Sequence, residues 1–172
     1  MSDHFASPQP VFIGLGSNLG DRLQHLRDAI GFLGQTPGMR LLKTSSIYET
    51  APVGPVEQGP FLNAVAWLET ALPPLALLDR LKGYEQAAGR VLGLRWGPRT
   101  IDLDILIYGA LCLQHEWLNI PHRELTRRAF VLVPLAELAA DLRVPGMGEK
   151  TVQDWLNRQS DRGDVHWYAG AL

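Results

Sequence analysis

Residues 99 to 108 read Arg99-Thr100-Ile101-Asp102-Leu103-Asp104-Ile105-Leu106-Ile107-Tyr108. In an extended chain, residues two apart share a face, so Asp102 and Asp104 project together while Ile101, Leu103 and Ile105 point into a core. The stretch therefore reads as a strand from Thr100 to Tyr108, and the segments before it show what kind of sheet it joins. Gly89 to Pro98 is a loop rich in Gly and Arg. Leu75 to Ala88 is a helix: it is entered at Leu72-Pro73-Pro74, carries Leu75, Leu78, Leu81, Lys82 and Glu85 along or beside its faces, and ends at Gly89. Phe61 to Thr70 reads as a strand. Residues 51 to 60 hold three prolines and two glycines, which forbid both helix and central strand. Residues 40 to 50 alternate as one strand, residues 23 to 34 carry a helical apolar face, and residues 11 to 16 form a buried strand. The order is β-α-β-β-α-β, the connectivity of the ferredoxin-like α+β sandwich, in which helices pack on an antiparallel sheet. Residues 110 to 172 form a C-terminal extension with short helices around 127 to 140 and 152 to 159.

The chain of 172 residues, 46% hydrophobic and 20% charged, is expected to form one domain over residues 1 to 172 with its core at about 11 to 145. A net charge of −2 argues against bulk attraction to nucleic acid or to an anionic membrane. Lys43, Lys82 and Lys150 are the only lysines; every other basic residue is arginine, whose planar fork suits phosphate and carboxylate. Cys112 is the only cysteine, and its place in the apolar run 105 to 113 predicts a buried thiol. That run is too short to span a bilayer, and Met1-Ser2-Asp3-His4 does not begin a signal peptide, so a cytoplasmic location is expected.

Two carboxylates about 7 Å apart on a strand raise each other's protonation cost, and a divalent cation resolves the conflict. Oxygen ligands suit Mg²⁺, which takes one or two carboxylates plus substrate phosphates. A solvated sheet face bearing two aspartates is the alternative that the strand alone leaves open. Arg90, Arg95 and Arg99 precede the pair, and Arg123, Arg127 and Arg128 follow His122. Acidic metal ligands flanked by arginines are what a polyphosphate site requires. Gly14-x-Gly16-x-x-Leu19 lacks the last glycine of a dinucleotide fingerprint, and no P-loop lysine follows. Asn63, with an amide that donates and accepts, and Phe61 and Phe130, which can stack, are candidates for a flat heterocycle.

Gly14-Leu15-Gly16-Ser17-Asn18-Leu19-Gly20-Asp21, Phe61-Leu62-Asn63, Arg95-Trp96-Gly97-Pro98-Arg99-Thr100-Ile101-Asp102-Leu103-Asp104 and Arg128-Ala129-Phe130 together resemble the 6-hydroxymethyl-7,8-dihydropterin pyrophosphokinase family of folate biosynthesis. The resemblance implies pyrophosphate transfer from ATP to the pterin hydroxymethyl group with two Mg²⁺ ions held by Asp102 and Asp104. It implies catalytic roles for Arg90, Arg99, Asp102 and Asp104, and nucleotide contacts from Glu85, Arg90, Trp96, Arg99, Ile105, His122 and Arg128. Thr50, Pro52, Val53, Phe61, Asn63 and Phe130 fall to the pterin, and the loops 51 to 60 and 89 to 98 to closure over the site. A monomer is expected on the same ground. Leu92 stands where the family commonly has a second loop arginine, Arg123-Glu124 follows His122 where a Pro or aromatic is more usual, and Trp117 lies where some members place an arginine. A catalytically weak pterin- or nucleotide-binding paralogue is the alternative. A nucleic-acid-binding ferredoxin-like module is disfavoured by the absence of its aromatic signature and of a basic pI.

Overall fold

The computed structural model describes residues 7–89 and 97–172. Its first strand, β1 (Gln9–Ser17), runs into helix α1 (Arg22–Gln35), whose N-terminus is capped by the Asp21 carboxylate accepting from the Gln24 amide. Strands β2 (Met39–Thr44), β3 (Ile47–Thr50) and β4 (Phe61–Thr70) follow, then helix α2 (Pro74–Ala87) and strand β5 (Asp102–Tyr108). The sheet is antiparallel, in the order β5-β1-β4-β3, with β2 also on β4. This is the expected α+β sandwich.

The expected strand over 40 to 50 is two strands. Ser45 explains the break: its backbone N–H donates to the Val65 carbonyl while its own hydroxyl accepts from the Val65 N–H. A side chain thus stands in for a backbone acceptor, and the ladder resumes out of step.

Alternation sorts the sheet into two faces. Val11, Ile13 and Leu15 of β1, Leu62, Ala64, Ala66 and Leu68 of β4, and Leu103 and Ile105 of β5 pack with Leu26 and Leu33 of α1 and Leu77 and Leu81 of α2. On the opposite face Phe12, Val65, Leu106 and Ile107 pack beneath helices α3 (Ala129–Ala139) and α4 (Val152–Asn157). Leu106 and Ile107 share that face because β5 bulges there: Ile13 pairs with Ile105 and Phe12 with Ile107, leaving Leu106 unmatched. The helices cover only part of this second face, and Gly14, Gly16, Asn63, Asp102 and Asp104 lie at the part left open.

Two further short strands, β6 (Leu113–Gln114) and β7 (Asn119–Ile120), make a hairpin, and β8 (His166–Ala169) extends the main sheet beyond β3. The expected C-terminal helices are α3 and α4; β8 was not foreseen. Glu137 latches α3 to the sheet by accepting from the Ser46 amide and hydroxyl and from the Tyr48 hydroxyl at 2.8 Å. Burial and the adjacent Glu137 carboxylate push the Tyr48 phenol up to about 12. Cys112 is exposed, not buried as expected, because the strand ends at Tyr108 and Gly109 turns the chain at φ +51. No described helix is long and apolar enough to cross a membrane.

Tyr108, buried and donating to the Leu72 carbonyl at 2.6 Å, has its phenol pushed up to about 12 by burial. A raised phenol stabilises the fold fully below its ordinary value of about 10, and that contribution is lost as pH rises through about 12. Tyr108→Phe is therefore expected to cost about 1 kcal/mol in urea unfolding near pH 8, with the difference from wild type shrinking by about pH 11.5. A pH-independent difference would contradict this assignment.

Candidate active site

The register places Asp102 opposite Gly16 and Asp104 opposite Gly14, so two bare glycines lie beside two carboxylates. At Gly16 a Cβ would stand 3.5 Å from the Asn63 side-chain oxygen and 3.7 Å from the Phe61 ring, filling the floor between strands. Arg99 donates to Asp102 at 2.8 Å. Lys82 reaches from α2, with Nζ 2.8 Å from the Leu103 carbonyl, 2.9 Å from Glu85 and 3.6 Å from Asp104. Burial in the concave site and the neighbouring Asp102 charge hold the Asp104 carboxyl above the usual carboxylate range, against the pull of Lys82, His122 and Arg99.

His122 is fixed by the bulge. Its backbone N–H donates at 2.8 Å to the carbonyl of Leu106, the surplus residue of β5. Its ring Nδ1 accepts from the Glu124 amide at 3.2 Å, which in the neutral imidazole puts the proton on Nε2. Arg128, just before α3, lies over the Phe130 ring with its guanidinium carbon 5.6 Å from the centroid.

Two cavities meet at this group. One, of about 320 Å³, is lined by Gly16, Thr50, Val53, Phe61, Asn63 and Phe130 together with Arg99 and both aspartates. The other, of about 500 Å³, runs from Lys82 past Ile105, Trp117 and Asn119. Asp104, His122 and Arg128 line both. Within the first cavity, Asn63 Nδ2 donates to the Thr50 hydroxyl at 2.8 Å, which fixes the amide and leaves its carbonyl oxygen on the Gly16 side.

The first cavity joins Phe61 and Phe130 to Arg99, Arg128 and both aspartates, and the second carries Lys82, Arg123 and Arg128. The family model for 7,8-dihydro-6-hydroxymethylpterin-pyrophosphokinase (HPPK) matches residues 12–140. The chain belongs to the HPPK family. The 2-amino-4-hydroxy-6-hydroxymethyldihydropteridine pyrophosphokinase of Pseudomonas aeruginosa is 47% identical over 137 residues, which cover 80% of this chain and 85% of that protein. The Bacillus subtilis protein of the same name is 42% identical over 155 residues, covering 90% and 93%. A crystal structure of a Plasmodium falciparum HPPK-DHPS triple mutant superposes with a TM-score of 0.71 at 16% identity, covering 88% of this chain; the chain spans 43% of that longer protein. The last likeness shows the fold.

Of the site residues that the HPPK resemblance implied, the structure brings together Thr50, Val53, Phe61, Asn63, Arg99, Asp102, Asp104, His122, Arg128 and Phe130 around the first cavity, and Ile105 lines the second. Ile105 itself is buried on the core face, so its main chain is the part left to meet a ligand. Pro52 lines neither cavity, and Arg90 and Trp96 lie outside the described residues, as does Leu92. Glu85, expected near the nucleotide, is 1% exposed, and its carboxylate accepts from the Leu103 amide at 2.6 Å and from Lys82, which lines the second cavity. Burial raises its pKa, against the Lys82 charge and the Leu103 hydrogen bond. Lys82, which lines the second cavity, is a site residue that sequence reasoning does not single out; its signal is the spacing of three from Glu85.

Proposed function

We propose that the chain transfers the terminal pyrophosphate of ATP to the hydroxymethyl group of 6-hydroxymethyl-7,8-dihydropterin, and that the two cavities divide these substrates between them. The observation that carries this reading is the shared wall: Asp104, His122 and Arg128 border both spaces, so a phosphate chain entering from one side meets an acceptor held in the other. The pterin would lie between Phe61 and Phe130, with Asn63, locked by Thr50, reading its edge. In the transfer the hydroxymethyl oxygen bonds to the β-phosphorus, the bond from that phosphorus to the α-phosphate oxygen breaks, the hydroxyl proton is released, and AMP leaves.

The donor chemistry of Asp102 and Asp104 fits Mg²⁺: hard oxygens only, on one strand face, with the Asp104 carboxyl raised by burial first and by the Asp102 charge second. These two residues would hold both ions. When bound, Mg²⁺ supplies Lewis-acid polarisation of phosphate oxygens. The remaining charge falls to the chain: Arg99 and Arg128 offer guanidinium forks, His122 offers Nε2–H, and Lys82 stands ready beside Asp104. The segment 51–60, which contributes Val53 and Gln58 to the pterin side, would help exclude water and so favour transfer over hydrolysis. On this reading the protein is a single-domain monomer acting in the cytoplasm.

Supplied with ATP, Mg²⁺ and the hydroxymethyl-dihydropterin, the protein is expected to form AMP and pterin diphosphate in equal amounts. Formation of ADP, or of AMP that does not depend on the pterin, would sink the reading.

A further inference from the structure

Asn18, immediately after β1, is buried, and its four hydrogen bonds all go to chain segments far away in sequence. Its backbone N–H donates to the Arg99 carbonyl at 3.1 Å, and its side-chain oxygen accepts from the Arg99 amide at 2.7 Å. Its Nδ2 donates to the Gln58 side-chain oxygen at 2.9 Å and to the Gly59 carbonyl at 3.2 Å. One amide thus holds the start of the Arg99 segment with its acceptor and the end of the 51–60 segment with its two donors. A carboxylate has no such donors and a hydroxyl has one, so the site calls for an amide.

What hangs from each side gives the junction a use. Arg99 carries the guanidinium that pins Asp102 at 2.8 Å. Gln58 and Val53 line the cavity assigned to the pterin. The base of the same segment is tied independently by Arg22, which donates to Glu49 at 2.8 Å and to the Pro60 carbonyl at 2.9 Å, leaving Asn18 as the link toward the carboxylate pair.

We infer that Asn18 is a positioning residue through which the pterin segment and the phosphate-facing Arg99 move together, so that each substrate's affinity depends on the presence of the other. The inference rests on the functional reading above. Reciprocity requires that the pterin tighten the nucleotide by the same factor as the nucleotide tightens the pterin.

The test is calorimetric titration of the full chain with the hydroxymethyl-dihydropterin, alone and with saturating Mg²⁺ and a non-hydrolysable ATP analogue, the ratio of the two dissociation constants being the coupling. Wild type is expected to show a ratio of about 5-fold or more. Asn18→Ala and Asn18→Asp should bring it close to one, Asn18→Asp because it keeps the Arg99 contact but turns an acceptor toward the Gly59 carbonyl. Gln58→Ala should lower the ratio in part, since it removes one of the two acceptors of Asn18 Nδ2. A purely structural Asn18 would instead weaken both ligands alike and leave the ratio intact, which overturns the inference. A wild-type ratio of one overturns it as well, with both ligands still bound and the functional reading standing, whereas failure to bind either ligand overturns both. Should the Asn18 variants not fold, Gln58→Ala is compared with Gln58→Glu, which keeps an acceptor for Asn18 Nδ2: a ratio lowered in Gln58→Ala alone supports the proposal, and equal ratios in the two count against it.

Discussion

Asp104→Asn is expected to lower pterin-dependent AMP formation by about a thousand-fold or more, the scale of removing a group that organises charge in the transition state. The change keeps the size of the side chain and removes the negative charge that the reaction needs at the wall common to both cavities. Its effect on folding should run the other way. Burial and Asp102 raise the Asp104 carboxyl, so the folded protein holds that proton more tightly than the unfolded chain does. The stabilisation from protonated Asp104 is fully present below the unfolded value of about 4 and is lost as pH rises through the raised folded value. Without metal, wild type should therefore lose stability over that window, while Asp104→Asn should show a flatter profile and an equal or higher melting temperature at neutral pH. Lys82 is not stranded by the change, because it keeps Glu85 and the Leu103 carbonyl. Near-normal turnover in the variant would remove Asp104 from the catalytic machinery; a fall in stability with an unchanged pH profile would remove the electrostatic argument.

The largest stability loss is expected from Glu85→Ala, about 2–3 kcal/mol in urea unfolding, the cost of leaving a buried strand N–H without its acceptor and emptying the space the side chain filled. The carboxylate is 1% exposed and serves two partners at once, the Leu103 amide and the Lys82 ammonium. Alanine leaves the buried Leu103 N–H without this acceptor and takes one partner from Lys82, which keeps the Leu103 carbonyl and Asp104. Glu85→Gln retains an acceptor for Leu103 and should lose less than half as much. Because Leu103 sits between the two aspartates, slack at this anchor should also lower kcat, so stability and activity should fall together in Glu85→Ala. A loss under about 1 kcal/mol would show that Lys82 and Leu103 find other partners or water.

How far the sequence could be read depended on whether a residue's surroundings were local or distant. The face shared by Asp102 and Asp104, the helices at 22–35 and 74–87, and the Pro- and Gly-rich loop at 51–60 follow from period-two or helical spacing and from turn chemistry, all carried by near neighbours. The break at Ser45 depends on a hydroxyl meeting Val65, twenty residues away, and nothing in the alternation of 40 to 50 announces it. β8 has no apolar alternation because both its sides are exposed, including Trp167 and Tyr168. Cys112 was misjudged because an apolar run was taken as continuous through Gly109, which turns the chain out of the sheet. Glu85 lay at a position that the family resemblance tied to the nucleotide, yet its carboxylate faces inward to a strand amide, a direction that spacing along α2 does not determine. Asn18 depends on partners 40 to 81 residues off, and Lys82 joins its local partner Glu85 to groups 21 to 22 residues off.

The bulge at Leu106 has a consequence for how this scaffold can vary. His122 reaches the aspartate pair by hanging its amide on the carbonyl of Leu106, the residue of β5 that the register with β1 leaves unmatched. The tip of the β6–β7 hairpin at residues 114–117, ending in exposed Trp117, is an appendix to the phosphate end, while Leu111, Leu113 and Leu118 pack against the core. Lengthening, shortening or redecorating that appendix would reshape the far end of the second cavity while the histidine stays tethered where it is. One superfluous residue in a strand thus separates the part of the pocket that must hold still from the part that is free to diversify.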